Sequence, residues 1–135
     1  MTELPGVEVA LNPEDVPFFD ALDRGEVSVP WCAHCDDHVW PPRSHCVHCY
    51  HRVDTWRTLS GDGTVYSFSV VHRGDGAFAK RPPYVVALVE LDGGPTIVAN
   101  VLADDHALVA VGSRVRLVRR PAPAQGRAGA QFVLD

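Results

Sequence analysis

Apolar and polar residues alternate through the second half of the chain. From Thr64 to His72, Tyr66, Phe68 and Val70 fall opposite Val65, Ser67 and Ser69, the two-residue period of a half-buried strand. The preceding Ser60-Gly61-Asp62-Gly63 is a turn signal. Tyr84 to Leu91 is an apolar, β-branched run, and Asp92-Gly93-Gly94-Pro95 turns it into Thr96 to Leu102, which predicts a hairpin. Ser113 to Arg120 sets Val115 and Leu117 against arginines, residues 121–130 read as a Pro/Ala/Gly loop, and Gln131 to Leu134 predicts a last strand. Short strands in succession with no long helical period predict a small closed barrel.

The first half has a different texture. Residues 12–24 predict one short helix, with Asn12 or Asp15 as cap, Pro13 or Pro17 in the first turn and Gly25 as the stop. Its apolar residues are Val16, Phe18, Phe19 and Leu22. A helix this short is marginal alone, so it must dock. Either it packs on its own domain or Phe18 and Phe19 face a partner chain.

The length of 135 residues is about that of one ordinary domain. A composition 46% hydrophobic and 21% charged excludes a disordered or fibrous chain. No apolar run reaches the roughly 18 to 20 residues of a membrane span, and the N-terminus lacks a secretory pattern. A cytoplasmic protein is expected. The net charge is −5 but uneven: residues 1–30 hold seven acids and one base, residues 106–135 one acid and five arginines. The overall sign opposes non-specific binding to nucleic acid.

All four cysteines fall in two knuckles, Cys32-Ala33-His34-Cys35 and Cys46-Val47-His48-Cys49, ten residues apart. Each C-x-x-C can offer two thiolates to one ion, and two pairs complete a tetrahedron. Zn2+ held by Cys32, Cys35, Cys46 and Cys49 is expected. An iron site of the rubredoxin kind has the same ligands. His34, His38, His45, His48 and His51 crowd the same stretch, but four sulfurs already fill the site. Trp31, Trp40 and Trp56 flank the ribbon and are expected to pack its faces. A ribbon of about 25 residues has little apolar core, whereas structural zinc is worth roughly 10–16 kcal/mol in small peptides.

The order helix, Cys-x2-Cys-x10-Cys-x2-Cys, compact barrel is distinctive. Val29-Pro30-Trp31-Cys32-Ala33-His34-Cys35, Trp40-Pro41-Pro42-Arg43, Cys46-Val47-His48-Cys49, Ser60-Gly61-Asp62-Gly63-Thr64-Val65-Tyr66-Ser67 and Pro83-Tyr84-Val85-Val86-Ala87 together resemble the zinc-ribbon/OB-fold acyl-CoA-associated family. The resemblance covers nearly the whole chain and implies a mainly β fold: an N-terminal helical arm (1–30), a rubredoxin-like zinc ribbon (31–54) and a five-stranded OB-fold barrel (55–135). It implies a non-catalytic accessory subunit of a thiolase-like or ketosynthase-like condensing enzyme, acyltransferase, aldolase or hydratase, in a hetero-oligomer that shapes a channel for acyl-CoA. The arm has room for one good helix where family members often have two.

Three function classes remain in view. For the accessory subunit, no Gly-x-Ser-x-Gly elbow is present and no cysteine is spare once a metal is bound. His72 and His106, the latter in Asp104-Asp105-His106, are candidate bases, with plain surface histidine as the alternative. CoA phosphates would want cations, and Arg73, Lys80, Arg81, Arg114, Arg116, Arg119 and Arg120 are available; Arg114, Arg116 and Arg120 fit one strand face. A single-strand nucleic-acid binder would stack bases on Tyr66, Phe68 and Tyr84, although their alternation with polar residues fits core packing better. An iron redox protein is the third.

Overall fold

The computed structural model describes residue 6 and residues 11–80, 82–119 and 128–135. Among the described residues, one α-helix, α1 (Val16–Asp23), precedes eight strands. It is shorter than residues 12–24 at its N-terminal end. Asp15 occupies the cap position without a side-chain bond; instead its amide closes a turn on the Asn12 carbonyl at 2.9 Å. The C-terminal end follows the expectation. Gly25 takes φ +78°, and the amides of Gly25 and Glu26 bond the carbonyls of Leu22 and Ala21, both at 2.9 Å. That double bond is the Schellman stop, which glycine enters without steric penalty.

Phe18 and Ala21 are buried on α1. The Phe18 ring meets Phe19 edge-on at 5.4 Å and Trp40 at 5.0 Å. The helix thus docks on its own chain, with Phe19 half-buried against the same core.

β1 (Val27–Cys32), β2 (Asp37–His38) and β3 (Thr55–Leu59) form an antiparallel sheet in the order β2-β1-β3. The register runs Val27 against Leu59 to Trp31 against Thr55, and Trp31 against His38 on the other edge. Residues 27–30 lie in its central strand and β3 pairs with β1, so this sheet spans sequence positions 31 and 55. Pairing between segments distant in sequence decides this, and local pattern carries no trace of it.

β4 (Asp62–Val71), β5 (Tyr84–Leu91), β6 (Thr96–Leu102), β7 (Arg114–Leu117) and β8 (Gln131–Leu134) close into a barrel, β4-β5-β6-β8-β7. β6 and β8 are parallel and the other pairs antiparallel. This is the OB-fold order. Inward positions alternate with outward ones, so Val85, Ala87, Val89 and Leu91 face Ile97, Ala99, Val101, Val115, Leu117 and Phe132 in a core that continues into Phe18, Val27, Val29 and Trp31.

One inward/outward assignment differs. Val65 is buried and Tyr66 is 63% exposed, the reverse of the expected phase. A bulge between Val65 and Ser67 adds one residue to β4. The extra residue turns Phe68 and Val70 back against the core and leaves Tyr66 outside, as bulges re-aim side chains. Three aromatic and β-branched residues at period two therefore do not share a face.

Gly63 is needed for more than a turn. A Cβ there would sit 2.7 Å from Val89 Cγ1 and 2.8 Å from the Glu90 carbonyl oxygen. Gly63→Ala is expected to lower stability by about 1–3 kcal/mol, the range for overpacking. A urea midpoint unchanged from wild type would show that β4 and β5 yield freely.

Candidate metal centre

β1 ends on Cys32, which it carries into the first knuckle with its side chain buried. The second knuckle is held in a narrow hairpin. His45 bridges Arg52. The Val53 amide donates to the Ser44 carbonyl at 2.8 Å, and the Cys46 amide to the His51 carbonyl at 2.9 Å. The four Sγ atoms lie within 4.8 Å of one another. Cys32 Sγ is 3.5 Å from Cys49 Sγ, and Cys35 Sγ is 4.0 Å from Cys46 Sγ. A tetrahedron with ~2.3 Å metal–sulfur bonds has edges of about 3.8 Å, which these separations straddle. They are far beyond the ~2.05 Å of a disulfide. The donor set fits one soft metal ion.

Backbone amides prepare the sulfurs. Cys35 N–H donates to Cys32 Sγ and His48 N–H to Cys46 Sγ, both at 3.4 Å. Donors from the Cys49 and His48 backbone draw the Cys46 thiol down to about 6, while hydrogen bonding to Cys49 and desolvation push Cys35 up to about 12. The free thiols thus share protons unevenly, and a metal must displace the ones that remain. The packing around them is thin. The ribbon's own cluster is Cys32, Val39 and Cys46, with Cys49 and Val53 against it. Most of its members are cysteines, so little apolar packing holds the ribbon together.

The histidines stay outside the sulfur set. His34 stacks on His51 with centroids 4.1 Å apart, His38 Nδ1 lies 3.2 Å from the Asp37 carboxylate, and His45 Nδ1 is 3.2 Å from Ser44 Oγ. Among the described residues, the four cysteines are the one group of three or more ligating side chains gathered this closely. Trp31 is buried, donates Nε1–H to Asp36 Oδ1 at 3.2 Å and carries the Arg57 guanidinium 3.7 Å over its ring. Trp40 and Trp56 pack half-buried against the main core.

The arginine face is already engaged. Arg114 grips Asp92 with two bonds, at 2.9 and 2.6 Å, and Thr64 Oγ1 at 2.9 Å. Arg116 Nε lies 3.5 Å from Asp135 Oδ1. Arg120 lies outside the described residues. Arg119, one of seven interchangeable cations in sequence, is tied down within the fold. Its guanidinium donates to the carbonyls of Gly25 and Ser60, the latter at 3.1 Å. It fastens the end of α1 to the link between ribbon and barrel. No sequence signal marks the contact with Gly25, which spans 94 residues.

Arg114 holds the Asp92 carboxyl below the ordinary carboxylate range, chiefly through its hydrogen bonds. A depressed carboxylate contributes stability above its unfolded pKa and loses it as pH falls through the folded pKa. Arg114→Ala is expected to return Asp92 to the normal range in an NMR titration and to remove that acid-side dependence. An Asp92 titration that stays depressed would place the cause elsewhere.

His72 and His106, far apart in sequence, meet edge-on at 6.0 Å. Phe78 and Tyr84 pack at 5.3 Å beside a cleft of about 280 Å³ on the β5–β6 face, lined also by Val86, Val98 and Asn100. Its lining is largely apolar, whereas a groove that tracks a phosphate backbone is positively charged.

A four-thiolate ribbon fused through one core to an OB barrel defines the class: a metal-ribbon/OB-fold protein. Residues 19–53 match the model of the ChsH2 rubredoxin-like zinc ribbon domain, and residues 56–120 match that of the ChsH2 C-terminal OB-fold domain. The chain is 33% identical over 99 residues to a DUF35 domain-containing scaffold protein of Methanocaldococcus jannaschii, covering 73% of this chain and 70% of that one. It is 34% identical over 110 residues to a probable enoyl-CoA hydratase alpha subunit of Thermomonospora curvata, covering 80% of this chain but 34% of that longer protein. The solved structure of the Ltp2-ChsH2(DUF35) aldolase superposes with a TM-score of 0.81 at 30% identity, over 94% of this chain and 98% of that chain. The chain belongs to the DUF35 family of zinc-ribbon/OB-fold proteins.

Proposed function

We propose that this chain is a non-catalytic accessory subunit of an acyl-CoA-processing enzyme, joined in a hetero-oligomer to a thiolase-like or ketosynthase-like partner. The observation that carries the reading is the near end-to-end likeness to the chain from the Ltp2-ChsH2(DUF35) aldolase. The match to a hydratase alpha subunit supports the same enzyme class. The ion is zinc in a structural role, held by Cys32, Cys35, Cys46 and Cys49. Four thiolates complete its tetrahedron and leave no position for a reactive water. Elemental analysis should give one zinc per chain in a colourless protein; a red, iron-loaded protein would favour the electron carrier.

Contact with CoA phosphates falls to Arg116 and Arg120 in this reading. Arg114 is committed to Asp92 by two short bonds, whereas Arg116 has one longer ion contact. The test is reconstitution. A thiolase-like enzyme and an enoyl-CoA hydratase are each purified with and without the chain, and their turnover of acyl-CoA is measured. A stable complex with raised turnover is expected, with weaker CoA binding after Arg116→Gln and Arg120→Gln. Enzymes that neither bind the chain nor respond to it would overturn the accessory role, and unchanged CoA affinity would remove the arginine contact alone.

A further inference from the structure

The two knuckles follow the same backbone course. Each Cys-x-x-Cys is followed by a residue in the left-handed region, Asp36 at φ 53° and Tyr50 at φ 62°. Glycine enters that region freely and aspartate at little cost, whereas a bulky aromatic there is an outlier. Asp36 has a use inside the chain: it accepts from Trp31 Nε1 at 3.2 Å and faces the Arg57 guanidinium at 3.6 Å. Tyr50 has none. It is 78% exposed, and its side chain makes no hydrogen bond or ring contact with the described residues. The left-handed turn belongs to the knuckle itself, closed by the Tyr50 amide on the Cys46 carbonyl at 2.9 Å; what the folded chain leaves unused is the Tyr50 side chain, a costly choice of residue for that backbone.

The surroundings are equally open. Val47 is 51% exposed. Arg24, Arg57, Arg114 and Arg116 each lie against a carboxylate, whereas Arg43 and Arg52 have no such partner among the described residues. Arg43, Ser44, His45, Val47 and Tyr50 line a shallow cleft of about 650 Å³, bounded also by Glu14. Arg52 adjoins it through the bridge to His45. Residues 38–53 contain no acid in a chain of net charge −5. Exposed aromatic and arginine anchors beside a small aliphatic are the composition of an interface centre.

We propose that this knuckle tip is the docking point for the partner enzyme. Tyr50 and Val47 enter an apolar recess on the partner, and Arg43 and Arg52 meet carboxylates on its rim. The proposal rests on the accessory-subunit reading and names the surface through which it acts.

The test uses the full-length, metal-loaded chain and the acyl-CoA enzyme that binds it in the reconstitution above. Affinity is measured for wild type, Tyr50→Gly, the pair Arg43→Glu with Arg52→Glu, and Leu108→Ala. Leu108, 64% exposed in a barrel loop, is the control. Tyr50→Gly relieves the backbone, so its melting temperature should hold or rise while its affinity falls about 30-fold or more, the scale of an interface hot spot. A structural role alone would move both in the same direction. The charge reversal should weaken binding and flatten its salt dependence, and Leu108→Ala should match wild type. If wild type binds and Tyr50→Gly binds equally well, the tip is not the dock, while the accessory reading stands. If wild type binds no enzyme, both fall. If CoA alone binds the free chain and Tyr50→Gly abolishes that, the tip is a nucleotide site and protein docking there is overturned.

Discussion

Cys46→Ser is expected to empty the metal centre and unfold the ribbon. Cys46 is buried, accepts the His48 amide and has its thiol drawn down to about 6. It is therefore a cysteine ready to bind as thiolate. Serine keeps the volume but offers a hard, protonated oxygen that suits the ion poorly. The scale follows from two ranges. Structural zinc contributes roughly 10–16 kcal/mol in small peptides, against about 5–15 kcal/mol for a whole domain. The damage should spread, because Val29 and Trp31 of the ribbon sheet sit in the same core as the barrel. Metal content should fall to near zero, and melting should become broad and early. Full metal content with an unchanged melt would refute the centre as assigned. Acid should do reversibly what the mutation does permanently, since protons compete with the metal for the same sulfurs.

Phe132→Ala is the largest effect expected in the barrel. Phe132 is fully buried and lies on β8, paired with Val101 on β6 and Leu117 on β7. That strand closes the sheet. Truncating a buried phenylalanine costs about 3–5 kcal/mol through lost burial and the cavity left behind, which is a large share of a domain's stability. The urea midpoint should drop sharply. Val98→Ala, on the same barrel but 68% exposed, should stay within about 0.5 kcal/mol of wild type. Equal losses at both positions would mean that β8 does not close the barrel.

Much is legible locally. The C-x-x-C spacing singles out four cysteines, and the structure brings their sulfurs within 4.8 Å of one another. Gly25 stops the helix, and the Asp92-Gly93-Gly94-Pro95 turn joins two paired strands, β5 and β6. Each of these signals is contained within a few residues. The features that sequence misplaces share the opposite property. The two-residue period puts Tyr66 on the wrong face because a bulge depends on the partner strand, β5. That residues 27–31 and Thr55–Leu59 share a sheet has no local signal, because the two paired segments are distant in sequence. Arg114 and Arg116 look free in sequence because Asp92 and Asp135, which face them, are far away along the chain. The left-handed backbone at Tyr50 is invisible because its residue type argues against it.

By itself, then, the chain's order of residues determined the two cysteine knuckles, the turns, most of the strands and the family, since covalent spacing and local propensity act over a few residues. Only the folded molecule decided which strands adjoin, which arginines are occupied, that Arg119 fastens the helix end to the link before the barrel, and that Tyr50 stands exposed at the ribbon tip. Those outcomes depend on contacts between distant segments, whose energies are set once the barrel has closed.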